Sequence, residues 1–173
     1  MKKEILSILF SCSLMVISCG QKESKKDEHV SAPAYEEEQV NLEPVNDSIT
    51  SVVLLSDDNM RYDQSEIKVQ AGKLVKLTLK HIGKMPKTAM GHNFVLLKKG
   101  IDPADFGAEV AQGQGPEYKL SKEASLKTIA STKMIGGGES VTIEFMAPEK
   151  GQYNYLCSFP GHYSQMKGVL IVE

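Results

Sequence analysis

Tryptophan is absent from this 173-residue chain, and cysteine and histidine are scarce, with three and four. Three cysteines exclude a small fold stapled by several disulfides. Four histidines, one of them (His29) far from the others in a charged N-terminal stretch, exclude a self-contained enzyme carrying several histidine-rich metal centres. Charge is nearly balanced, with 20 Lys and Arg against 22 Asp and Glu. The lysines are scattered, so a nucleic-acid partner is not expected. Nor is there an apolar run of the ~20 residues that a membrane-crossing helix needs.

The longest apolar run, Ile5 to Ile17, follows Lys2 and Lys3 and has the length of a signal-peptide core. It ends in Val16-Ile17-Ser18-Cys19, which resembles a bacterial lipobox, the alternative being an ordinary signal peptide cut elsewhere. The expected plan is a lipoprotein leader over 1–18, a lipid on Cys19, and a tether over 19–48. Residues 20–48 hold three lysines against eight acidic residues, with no sustained apolar period, the composition of a disordered linker. Cleavage before Cys19 leaves 155 residues, enough for one domain with a core. Cys12 leaves with the leader and Cys19 becomes the anchor, so Cys157 has no intrachain partner.

From residue 49 onward short alternating runs dominate. In "LVKLTLKH" Val75, Leu77 and Leu79 share one parity and Lys76, Thr78 and Lys80 the other; in "VTIEF" Val141, Ile143 and Phe145 oppose Thr142 and Glu144. A period of two marks strands with one wet face. Further strands are expected at 51–56, 67–69, 93–98, 152–157 and 168–172, separated by glycine- and proline-containing turns. This pattern predicts an all-β antiparallel sandwich or barrel. One insertion interrupts it: Asp102-Pro103 begins a short helix over 103–112, followed by an irregular flap to about Thr128, with a second cap at Ser121.

The segment "CSFPGHYSQM", residues 157–166, places a thiol, an imidazole and a thioether in the spacing C-x4-H-x3-M. Pro160 and Gly161 make the loop tight enough to aim Cys157 and His162 at one point. Alone, Cys157 reads as a buried inert thiol and Met166 as core filler. Together with a second histidine they match the two-histidine, one-cysteine set with a long axial methionine that binds blue copper. Zinc would accept a similar donor set. The second histidine is His81 or His92; His92 follows Gly91, whose lack of a side chain lets its carbonyl approach a metal opposite Met166.

"PKTAMGHN", "TKMIGGGESVTIEF" and "YLCSFPGHYSQMKG", in that order, resemble the azurins of the cupredoxin family, over about residue 50 to the C-terminus. The resemblance implies a Greek-key β-sandwich and one type 1 copper ion held by His92, Cys157 and His162, with Met166 and the Gly91 carbonyl as weak axial donors. It implies that Asn93 ties the two ligand loops together near Ser158, that Phe159 packs beside the metal, and that His81 lies close without binding it. Met60, Met85, Pro86, Met90 and Phe159 would form an apolar rim through which His162 meets cytochrome- or reductase-type redox partners. The sequence departs from the resemblance in lacking the family's usual disulfide, with Gly72 near one expected cysteine position, and in having Phe94 but no tryptophan.

The expected function is non-enzymatic: a one-electron shuttle cycling copper between +1 and +2. The alternative is a copper-binding or delivery lipoprotein without fast electron transfer. The expected place is the periplasmic side of the cell envelope, on a lipid anchor, with the outer membrane favoured because Gly20 follows Cys19.

Overall fold

A computed structural model describes residues 49–113 and 117–173. The leader, the tether, His29 and Cys19 lie outside the described residues.

Two sheets face each other. One has the order β2-β1-β4-β7, where β1 is Ile49–Asp57, β2 Arg61–Tyr62, β4 Leu74–His81 and β7 Ser140–Met146. The other has the order β3-β9-β8-β5-β6, where β3 is Glu66–Val69, β5 Val95–Leu97, β6 Thr128–Ser131, β8 Gly151–Leu156 and β9 Lys167–Val172. The parity expected from sequence holds in β4, where Val75, Leu77 and Leu79 are fully buried and Lys76 and Lys80 exposed. These side chains meet Leu54 of β1, Ile67 and Val69 of β3, Tyr155 of β8 and Leu170 of β9 in the main core. Each buried aliphatic side chain there contributes about 1.5–3 kcal/mol.

The expectation of purely antiparallel pairing is corrected: β1 runs parallel to β4, and β3 parallel to β9. The chain leaves one sheet after β2 and enters the other at β3, and such a switch allows parallel neighbours without a hairpin. The expected strand at 93–98 is shorter, Val95–Leu97, and is buried on both faces. Leu96 belongs to the main core, while Val95 and Leu97 face a second one.

That second core lies under the flap. Helix α2, Pro103–Gly113, starts where Asp102 Oδ1 accepts the amides of Ala104 at 2.8 Å and Asp105 at 3.0 Å. Helix α3, Lys122–Leu126, is capped by Ser121, whose hydroxyl accepts Ala124 N–H at 3.1 Å. Phe106, Val110 and Ala124 from these helices pack on Val95, Leu97 and Leu156. The flap is therefore more regular than expected, and it ends in β6, which the sequence pattern did not reveal. A four-residue helix α1, Lys87–Met90, also went unforeseen; it sits just before the histidine at 92.

Candidate metal centre

Three donor atoms converge at one end of the sandwich. Among the described residues, the potential ligand atoms of two histidines, His92 and His162, and one cysteine, Cys157, all lie within 4.8 Å of one another. Cys157 Sγ is 3.9 Å from His92 Nδ1 and 3.7 Å from His162 Nδ1. The Gly91 carbonyl oxygen lies 3.8 Å from the same sulfur. Cys157, His92 and His162 are all buried.

The backbone fixes each of these groups separately. His92 stands between α1 and β5, its N–H donating to the Ile135 carbonyl at 2.9 Å and its own carbonyl accepting Ile135 N–H at 2.8 Å. Cys157 follows the last residue of β8, and its N–H donates to the Met166 carbonyl at 2.9 Å, closing the ten-residue loop at its base. Inside the loop His162 N–H donates to Phe159 O at 3.0 Å, and Met166 N–H donates to His162 O at 2.8 Å. Gly161 turns the chain at φ +85°, the left-handed region that an L side chain rarely enters. Met166 is fully buried in one cluster with Cys157, Phe159 and Met134.

The two segments that carry the candidate ligands are joined by Asn93. Its Nδ2 donates to Ser158 Oγ at 2.9 Å, and its Oδ1 accepts Ser158 N–H at 2.8 Å. These buried hydrogen bonds link positions 65 residues apart in the sequence. At Gly91 a Cβ would lie 2.5 Å from the Lys87 carbonyl oxygen and 2.9 Å from Met134 Cγ, so the close backbone approach requires glycine.

The electrostatics suit a metal. Burial lowers the His92 pKa and lowers that of His162 to about 4, so both imidazoles are neutral with a lone pair to give. Burial pushes the Cys157 thiol up to about 12, so without a cation it keeps its proton. A buried thiol flanked by two neutral imidazoles, with a thioether in the same cluster, is a soft and borderline donor set that fits copper.

His81 does not share the site. Its Nε2 donates to the Met90 carbonyl at 2.9 Å and its Nδ1 accepts Gly83 N–H at 3.0 Å, which leaves no lone pair for a metal. Its ring packs 4.3 Å, centroid to centroid, from that of His92. Phe159 packs 4.5 Å from the His162 ring, but it is only 9% exposed and adds little to the outer rim. Met85, at 39% exposed, offers far more surface. Asp58 holds the Met85 loop by accepting the amides of Lys84 at 2.8 Å and Met85 at 3.2 Å.

Three tyrosines near the centre escaped sequence reasoning. The Tyr62 hydroxyl donates to the Asn93 carbonyl, and its ring packs on the Cys157 cluster. Tyr118 stacks 5.1 Å from Phe159. Tyr163, directly after His162, packs into the second core under α2. Only Tyr163 had a signal, its adjacency to a candidate ligand.

Residues 49–173 match the family model described as copper binding proteins, plastocyanin/azurin family. Azurin-1 of Alcaligenes xylosoxydans xylosoxydans is 43% identical over 126 residues, covering 69% of this chain and 95% of that protein. Among solved structures, reduced auracyanin from Roseiflexus castenholzii superposes with a TM-score of 0.64 at 35% identity, covering 72% of this chain and 97% of that one. An azurin of Methylomonas sp. strain J gives 0.62 at 36% identity, covering 71% and 97%. With fold, donor set and sequence in agreement, this chain belongs to the plastocyanin/azurin family of copper-binding proteins.

Proposed function

We propose that the protein is a blue-copper one-electron carrier whose ion would be held by His92, Cys157 and His162, with Met166 and the Gly91 carbonyl as weaker donors. The observation that carries this reading is the convergence of three buried donors from two chain segments that Asn93 bolts together. When bound, copper supplies a one-electron couple between its +1 and +2 states.

The protein's own part is to keep the donors still. His92 Nε2 is spent on the Asp57 carbonyl at 2.8 Å, which turns Nδ1 toward the sulfur. The Asn93–Ser158 bonds hold Cys157 in register with His92. Donors that move little as the charge changes keep the reorganisation barrier low. His162, 3% exposed, presents its edge as the route to partners, within a rim supplied by Met60, Met85, Pro86 and Met90. Such methionine-rich surfaces adapt to more than one partner, here redox proteins of the cytochrome or reductase type.

The reading as a carrier and not an enzyme rests on the shortage of further histidines in the sequence. The lipobox-like Val16–Cys19 supports a lipid anchor on Cys19 on the periplasmic side of the cell envelope, with the outer membrane favoured, and residues 19–48 as the tether of the domain 49–173.

The test is electron self-exchange between oxidised and reduced copper-loaded protein. Fast exchange is the expected result. Slow exchange together with ready loss of copper to a chelator would mark a delivery protein instead.

A further inference from the structure

Helix α2 carries a glycine at position 107, in its second turn, where helix propensity disfavours it relative to alanine. A Cβ built there would lie 2.2 Å from Tyr163 Cγ, 2.4 Å from Cδ2 and 2.6 Å from Cβ. All three distances are shorter than any real contact, and two of the atoms are the near end of the tyrosine. Rotating the ring cannot relieve such a clash; the loop backbone at 163 would have to move. Tyr163 is the residue after His162, and it packs into the core formed by Phe106, Val110, Leu97 and Leu156. Leu156 is the residue before Cys157 and is fully buried. The second core therefore grips the ligand loop at the residues adjoining Cys157 and His162. The hydrogen bonds inside the loop fix its shape, whereas this grip fixes where the loop stands on the sandwich.

We propose that Tyr163 is a positioning residue: seated in the notch that Gly107 leaves in helix α2, it sets the placement of His162 relative to Cys157 and so couples the flap to the metal centre. The proposal rests on His162 as a ligand for its consequences at copper, but the seat itself exists without metal.

The experiment compares the wild-type chain with Gly107→Ala, Tyr163→Ala, the double variant and Tyr163→Phe. In copper-free protein, amide hydrogen exchange is read at His162 and Met166, whose N–H groups donate to carbonyls within the loop, and at Leu77 in β4 as a reference. The expected result is at least tenfold faster exchange at His162 and Met166 in Gly107→Ala and in Tyr163→Ala, with Leu77 unchanged. The double variant should be no worse than Tyr163→Ala alone, because the added methyl then meets empty space. Tyr163→Phe keeps the seat and should behave as wild type. In copper-loaded protein, the electron paramagnetic resonance hyperfine splitting should change in Gly107→Ala and Tyr163→Ala and not in Tyr163→Phe. Unchanged loop exchange and splitting in Tyr163→Ala, or additive effects in the double variant, would overturn the proposal. If Gly107→Ala does not fold, the contrast between Tyr163→Ala and Tyr163→Phe decides the matter alone. Failure of the wild-type chain to bind copper would count against the ligand assignment, whereas the copper-free exchange data would still judge the seat.

Discussion

The Nε2 of His92 lies 2.8 Å from the backbone carbonyl oxygen of Asp57, in the strand paired with β4. A carbonyl can only accept, so Nε2 carries the proton and Nδ1 is left bare, facing Cys157 Sγ at 3.9 Å. One backbone oxygen thus selects the tautomer that a metal requires.

Copper uptake should release one proton per ion across neutral pH. Burial keeps the Cys157 thiol protonated up to about 12, while His162 is neutral above about 4. Only the thiol proton must leave, so apparent affinity should rise about tenfold per pH unit. Calorimetry in buffers of different ionisation enthalpy reads the proton count. A count of zero would contradict a thiolate ligand.

The copper-free fold should weaken in acid. With its pKa lowered to about 4 in the fold, against about 6.5 when unfolded, His162 binds fewer protons folded than unfolded between those values. Stability from this group is therefore complete above about 6.5 and is lost as pH falls through that window, by about 3 kcal/mol in all. His92, shifted in the same direction, adds to the loss. Urea unfolding at pH 7.5 and 4.5 checks this, and His162→Asn should show a flatter dependence than wild type.

Removing the Asn93 side chain should cost about 1–3 kcal/mol, because Ser158 N–H would lose a partner at 2.8 Å in a buried setting. Chemical unfolding of Asn93→Leu measures it. A Tyr62→Phe change, which removes only the hydroxyl's bond to the Asn93 carbonyl, should cost less, about 0.5–1.5 kcal/mol.

Cys157, His162 and Met166 were legible as candidate ligands because loop chemistry is local: Pro160, Gly161 and the spacing from Cys157 to Met166 are all visible in ten residues. The wet and dry faces of β4 were legible for the same reason, since alternation shows within one strand. The parallel pairing of β1 with β4 was not, because register between strands depends on partners about 25 residues away. The Asp57 carbonyl was invisible because any residue supplies one. Tyr62 and Tyr118 reach the centre only through the folded path of the chain, and nothing in "RYDQ" or "PEYK" marks them. His81 illustrates the limit from the other side: two histidines were open as ligands, and only the hydrogen bonds of its ring nitrogens show why it cannot serve.

Replacing Met166 by Leu should change the reduction potential more than it weakens copper binding. A tenfold change in the relative affinity for the two oxidation states reads as about 59 mV for one electron, well within voltammetric precision. Loss of most of the copper would instead assign Met166 a strong role.

Changing Cys19 to Ala should release the protein from membranes into the soluble fraction, because the thiol expected to carry the lipid is then gone. Fractionation of cells expressing each form checks it. Tight association of the variant would defeat the lipid anchor.

The most direct measurement is the visible absorption spectrum during titration of the purified chain with cupric ion, beside Cys157→Ser. The wild-type protein should turn intensely blue through charge transfer from the Cys157 sulfur, saturating at one ion per chain, while the variant stays colourless. A wild-type protein that remains colourless, or colour that survives in the variant, would contradict a copper centre built on this thiolate.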